Sequence, residues 1–144
     1  MAIKQLLFGM GLGTILLVGL FFNIVAHEAG HWAVAEADGL KPEIHFFEQS
    51  QEGKASFYTP SFSVSYSGRS SPEEDAEIAF AGPVVNLIIT LVLMGLYFVI
   101  PKGKRTVNLA LIFIMLVLPS LISFIVNMLP FAGNDGNILI NALR

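Results

Sequence analysis

The sequence predicts an all-α membrane protein with three transmembrane helices and a small amphipathic β-strand region between the first and the second. Three observations carry this expectation. The 144-residue chain is 54 % hydrophobic and only 13 % charged, where soluble domains carry about 25 % charged residues; its mean hydropathy is +0.69. The charges leave three long gaps, Leu6 to Ala26, Ala79 to Ile100 and Thr106 to Leu129, of 21, 22 and 24 residues. Thirteen of the nineteen charges fall between His27 and Glu77, which sets a polar region apart from the apolar runs.

The same composition excludes several classes. Disorder needs low hydrophobicity and high charge, the reverse of what is found here. A net charge of −3 argues against a nucleic-acid binder, which draws its affinity from cationic side chains. With no cysteine there is no disulfide framework, no zinc ribbon and no thiol nucleophile. Any metal must be held by His, Asp or Glu.

Each gap is long enough to span. A bilayer core of about 30 Å takes about 20 helical residues. The spans are placed at about 6–26, 79–100 and 106–129, and residues 1–144 read as one membrane core without internal repeats or linkers. The first span is not read as a cleaved signal, although Lys4 precedes it and Ala33-Val34-Ala35 resembles a cleavage site. It is too long for the apolar core of a signal peptide. Gly9 and Gly13 fit Gly-x-x-x-Gly, a pattern of close helix contact that is expected to serve packing inside the monomer. Trp32 is expected to be an interfacial anchor or a packing residue.

The polar region, 41–70, reads as strand-rich and lying on the membrane surface. Ser61 to Ser67 alternates polar and apolar residues with a period of two, which gives a strand with one apolar face. Glu43 to Phe47 and Ala55 to Tyr58 are weaker strand candidates, with Glu52-Gly53-Lys54 as the turn between them. A helix then starts at Ser71-Pro72-Glu73-Glu74: Ser71 caps, Pro72 suits the first helical position and Glu74 closes a capping box. Glu73, Glu74 and Asp75 complement the positive helix end. Gly82-Pro83 should bend the second span and Pro119 the third. Pro101-Lys102-Gly103-Lys104 is a tight polar turn.

The chemistry sits where the first charge-free run ends, at His27-Glu28-Ala29-Gly30-His31. Histidines at i and i+4 share one helix face, one turn apart, and can reach one zinc ion. Glu28 is displaced by about 100° around the helix. It reaches water at the metal rather than the metal itself, the place of a general base. At this composition the pattern arises by chance in about 0.3 % of chains of this length, so it counts as signal. Ionisable groups at membrane depth cost about 2.5–3.5 kcal/mol or more and mark functional sites.

A catalytic zinc takes three protein ligands. The candidates for the third are Asp135, His45, and the glutamates Glu73, Glu74 and Glu77. Topology favours Asp135. The first span ends at the motif, the second leaves from that membrane face, and the third returns to it six residues before Asp135. Gly133, Asn134 and Gly136 around it make a turn that can fold back into the bundle. A carboxylate ligand also offsets the charge of a dication held below the lipid surface.

The motif His27–His31, followed by Asn127-Met128-Leu129-Pro130 and Asp135-Gly136, resembles the site-2 protease family of intramembrane zinc metalloproteases. That family's third motif runs Asn-x-x-Pro and then Asp-Gly, with the eight-residue Asn-to-Asp spacing of Asn127 and Asp135. Ala81-Gly82-Pro83-Val84-Val85-Asn86 is similar to the family's Gly-Pro-x-x-Asn segment. The chain departs from the pattern at Ala132, where a second proline is frequent, at Asn134, where Leu is frequent, and at Asn137, where Gly is common. The resemblance implies one zinc per chain held by His27, His31 and Asp135, with Glu28 activating water and protonating the leaving amine. It puts Asn127 near the metal as an oxyanion partner, with Asn86 as a second candidate. Both asparagines also suit plain interhelical hydrogen bonding. Relatives carry a membrane-associated sheet that holds substrate in extended form. Phe62, Val64 and Tyr66 are the corresponding substrate-binding candidates here, through addition of a strand to the sheet edge.

The implied activity is that of an intramembrane zinc endopeptidase acting on membrane-spanning protein substrates, in regulated intramembrane proteolysis. Its partners are the lipid bilayer, the substrate, and a regulatory membrane protein or a second copy of the chain; nucleic acid is not one. Charge does not orient the chain: Lys4, Lys102, Lys104 and Arg105 lie on one face, Lys41, Lys54, Arg69 and Arg144 on the other. The resemblance turns the site toward the cytoplasm. The alternative is a non-catalytic membrane binding module that keeps the protease fold, and the intact Glu28 counts against it. A zinc protease of another membrane family, with a glutamate as third ligand, is the other competing reading.

Overall fold

A computed structural model of the chain describes residues 2–46, 62–131 and 134–142. The elements run α1 (Ala2–Ala37), β1 (Lys41–Phe46), β2 (Phe62–Ser67), α2 (Pro72–Val99), a 3-10 turn at Lys102–Lys104, α3 (Val107–Met128) and α4 (Asp135–Ala142). Helices α1, α2 and α3 are each long and apolar enough to cross a membrane, which makes this a multi-pass integral membrane protein. All three pack against one another, and the predicted class of three apolar helices with a strand pair after the first holds.

Helix α1 does not stop where its charge-free run does. It is one helix of 36 residues, about 54 Å long at 1.5 Å per residue. Nothing between Ala26 and Ala37 breaks it, so the metal-site motif continues a membrane helix. Gly39, at φ 77°, ends it. The Gly39 N–H donates to Glu36 O and the Leu40 N–H to Ala35 O, both at 3.0 Å, the paired bonds of a Schellman cap.

The expectation for Gly9 and Gly13 is corrected. A Cβ at Gly9, Gly11 or Gly13 would meet nothing within 4 Å. In the charge-free run of α1 the glycine that meets a neighbour is Gly19, whose Cβ would lie 3.7 Å from Met115 O on α3. The glycine motif in the first turns of α1 has no partner helix among the described residues.

Helix α2 begins as predicted. Ser71 Oγ accepts from the Glu74 N–H at 3.2 Å, and Glu74 Oε2 accepts from the Ser71 N–H at 2.6 Å. The helices are continuous through Pro83 and Pro119, both buried. At the far end Arg105 donates to Ile100 O at 2.9 Å and to Phe98 O at 2.6 Å, which satisfies carbonyls that α2 leaves open. Thr106 Oγ1 then caps α3, accepting from the Leu109 N–H.

Strands β1 and β2 pair antiparallel, from Lys41↔Ser67 to Phe46↔Phe62. The weak candidate at Glu43–Phe47 is thus the partner strand, starting two residues earlier. The candidate at Ala55–Tyr58 and its turn lie outside the described residues. The hairpin rests on α1.

Burial in the bundle runs opposite to that of a soluble core. Large apolar side chains face outward all along the helices, while Asn23, His27, His31, Asn86, Thr90 and Ser120 are buried. This is the distribution expected when lipid covers the outside and polar groups must find partners inside.

Candidate metal centre

His27 and His31 stand one turn apart on the buried face of α1, with their Nε2 atoms 3.1 Å apart. His31 Nδ1 lies 2.6 Å from Ile78 O. A carbonyl only accepts, so Nδ1 carries the proton and Nε2 presents a lone pair. His27 Nδ1 lies 2.8 Å from the Asn86 side-chain amide.

Asp135 reaches this pair from the opposite end of the sequence because α3 and α4 are tied together. The Asn134 amide donates to Val126 O at 2.9 Å and to Leu129 O at 2.6 Å, while its Oδ1 accepts from the Asn137 N–H at 3.2 Å. One side chain therefore caps the end of α3 and the start of α4. Gly136 allows the close approach: a Cβ there would collide with Leu129 O and stand 2.8 Å from Met128 C. Helix α4, which the sequence shows only as a turn, holds Asp135 in its first residue. Asp135 Oδ2 then lies 3.1 Å from His27 Nε2, and Oδ1 3.4 Å from His31 Nε2. Burial pushes the Asp135 carboxyl up, but the nearness of the two imidazoles outweighs this, so it sits below the usual carboxylate range.

These donors fit a zinc ion. Tetrahedral ligands at about 2.0–2.1 Å from zinc sit about 3.3 Å from one another, and the three contacts measure 3.1, 3.1 and 3.4 Å. The donor set, two imidazole nitrogens and a carboxylate, is a zinc set. Asp135 Oδ2 is buried and makes no hydrogen bond of proper geometry despite its 3.1 Å approach to His27. Such an orphaned oxygen suits a cation better than a neutral imidazole. Among the described residues, His27, His31 and Asp135 are the group of His and carboxylate side chains able to hold a metal ion.

The neighbouring helix is shaped to the two rings. A Cβ at Gly82 would collide with His31 Nε2 and lie 2.7 Å from His27 Cε1. At Gly30 it would lie 2.9 Å from Val85 Cγ2. Glycine at 30 and 82 lets α1 and α2 come close enough for α2 to back the rings.

The centre opens into a cleft of about 380 Å³ lined by His27, Glu28, His31, Val64, Tyr66 and Asp135 among others. Glu28 is half-buried there, on the cleft that Val64 of β2 also lines. Strand β2 lines the cleft through Ser63, Val64 and Tyr66. Tyr66 anchors that strand by donating to Asp75 Oδ1 on α2 at 2.7 Å. Burial and the Asp75 carboxylate push the Tyr66 hydroxyl up to about 12.

Asn127 and Asn86 are both drawn in. Asn127 Nδ2 is 3.4 Å from His27 Nε2 and 3.3 Å from Ser123 Oγ. Ser123 Oγ is in turn 2.8 Å from the Asn86 amide. The structure does not bring the other third-ligand candidates to the cluster. His45 Nε2 contacts Ser65 Oγ on the hairpin at 2.6 Å, and Glu74 serves as a helix cap. Phe62 lies at the start of β2, paired with Phe46. Sequence reasoning missed Ile78 O, Ser123 and the double cap of Asn134. A polar residue one turn before Asn127 in an apolar helix is the signal that Ser123 offered.

The model of Peptidase family M50 matches residues 15–110, about two-thirds of the chain. The match takes in the His27–His31 motif, the hairpin and the segment from Ala81 to Asn86, and ends before Asn127 and Asp135. No curated protein matches the chain. On this match, carried by more than half of its length, the chain belongs to Peptidase family M50, the zinc-dependent site-2 protease family.

Proposed function

We propose that the protein is an intramembrane zinc endopeptidase that hydrolyses peptide bonds of membrane-spanning proteins. The observation that carries this reading is the convergence of His27, His31 and Asp135 beside a carboxylate, Glu28, in a cleft bounded by a strand edge. His27, His31 and Asp135 would hold one zinc ion per chain. Bound there, zinc supplies the Lewis acidity that activates water and polarises a peptide carbonyl. Glu28 takes the proton from the attacking water and passes it to the leaving amine. Asn127 presents an N–H toward the same point and stabilises the developing oxyanion.

A membrane-spanning substrate keeps its peptide groups in helical hydrogen bonds, which must be replaced before cleavage. The edge of β2, unpaired among the described residues, supplies replacements, with Val64 and Tyr66 beside the centre and Phe62 at the strand's start. The site is taken to open toward the cytoplasm, the orientation that the resemblance to the family implies.

The test is Glu28→Gln in purified protein offered a single-span substrate in detergent or liposomes. Cleavage should fall by at least about 100-fold while zinc stays bound. Undiminished cleavage by this variant would remove Glu28 from the mechanism. Restoration of an in vivo deletion phenotype by it would favour the binding-module reading.

A further inference from the structure

We infer that Asn86 is a positioning residue: its side-chain carbonyl accepts the Nδ1–H of His27 and so fixes the tautomer in which His27 Nε2 can bind zinc. This rests on the zinc centre proposed above. A neutral imidazole carries one proton, and a ring that ligates through Nε2 must carry it on Nδ1. His31 meets this condition through Ile78 O, 2.6 Å from its Nδ1. His27 has the Asn86 side-chain amide at the corresponding place, 2.8 Å from Nδ1.

The two ends of an amide have the same shape, and the surrounding hydrogen bonds decide between them. With Nδ2 toward His27, Nδ1 must accept, the proton moves to Nε2, and the ring cannot ligate. In that orientation Asn86 Oδ1 is also buried without a partner. With Oδ1 toward His27, one oxygen accepts from both sides, from His27 Nδ1–H and from the Ser123 hydroxyl at 2.8 Å. Ser123 Oγ then still accepts from Asn127 Nδ2 at 3.3 Å. The bonds run in one direction: Asn127 to Ser123, Ser123 to Asn86, His27 to Asn86. Reversal exchanges which end of the amide lacks a partner, so the requirement of His27 is what decides. Asn86 is completely buried, so no water competes for its oxygen.

Substitution at 86 separates acceptor from donor. Aspartate keeps the accepting oxygen and loses the donor; leucine loses both. Zinc affinity is measured by competition with a chromophoric chelator on the full chain in detergent, for wild type, Asn86→Asp, Asn86→Leu and Asp135→Ala, with helix content by circular dichroism. The inference predicts affinity about 10–100-fold weaker for Asn86→Leu and close to wild type for Asn86→Asp. It also predicts an attached proton on His27 Nδ1 in nitrogen-15 spectra of the zinc-loaded wild type. An Asn86→Asp affinity as weak as that of a folded Asn86→Leu, or wild-type affinity in Asn86→Leu, overturns it, as does a bare Nδ1. Should Asn86→Leu fail to fold, Asn86→Asp decides alone: retention supports the accepting oxygen and loss refutes it. Wild-type affinity in Asp135→Ala, or no zinc in the wild type, instead removes the metal centre on which the inference rests.

Discussion

A methyl group at position 82 should disable the centre from the helix behind it. The Cβ of Gly82→Ala would collide with His31 Nε2 and stand 2.7 Å from Cε1 of both His27 and His31, where ordinary contact begins at 3.4 Å. The rings would have to retreat by at least about 0.7 Å, and His31 by more at Nε2. Neither is free to do so, because His31 Nδ1 is bonded to Ile78 O at 2.6 Å and His27 Nδ1 to Asn86 at 2.8 Å. Zinc–ligand distances hold within about 0.2 Å, so two of the three donors are lost or strained. Helix propensity works the other way: alanine is favoured over glycine by about 0.5–1 kcal/mol inside a helix. Overpacking costs about 1–3 kcal/mol and wins. Zinc affinity should therefore fall by about 100-fold, or about 2.7 kcal/mol, with a small net loss of thermal stability. Gly95→Ala in the same helix is the control, since its Cβ would meet nothing within 4 Å; propensity alone should leave it as stable as wild type or more so. Both are read by chelator competition and thermal unfolding in detergent. Wild-type zinc affinity in Gly82→Ala would refute the assignment of both rings to the metal.

Asn134→Leu removes the side chain that caps both α3 and α4. It should cost about 1–2 kcal/mol in thermal unfolding and weaken zinc binding by releasing Asp135, even though leucine is the residue frequent there in the family. For Tyr66 the hydroxyl is raised from 10.0 to about 12, so its bond to Asp75 stabilises hairpin docking fully below about pH 10 and is lost as pH rises through about 12. Limited proteolysis of the hairpin across this range should show the change in wild type, and Tyr66→Phe should show elevated cleavage already at neutral pH with no further loss.

The membrane spans were legible because lipid demands long charge-free runs and the chain has three of them. The end of α1 was not, because a helix carrying His27, Glu28 and His31 on past the end of the charge-free run leaves no gap in charge to mark it. Gly39, with its positive φ, is the stop signal. The capping box at Ser71 was readable since all its parts lie within four residues. Helix α4 was hidden because it is short and its stabilising bonds run back from Asn134 to the end of α3. The bringing together of His27, His31 and Asp135 followed from counting membrane crossings, so topology could place residues that lie 108 positions apart. What surrounds them needed the structure. Backbone acceptors such as Ile78 O carry no side-chain signature, and a glycine shaped to a ring looks like any other glycine until the helices are packed.

The most direct test of the account is zinc per chain in protein purified without chelators, wild type beside Asp135→Ala. About one zinc per chain is expected in the wild type, with a clear loss in the variant while its helix content is kept. Equal zinc in the two proteins, or none in the wild type after zinc is added back, would contradict it.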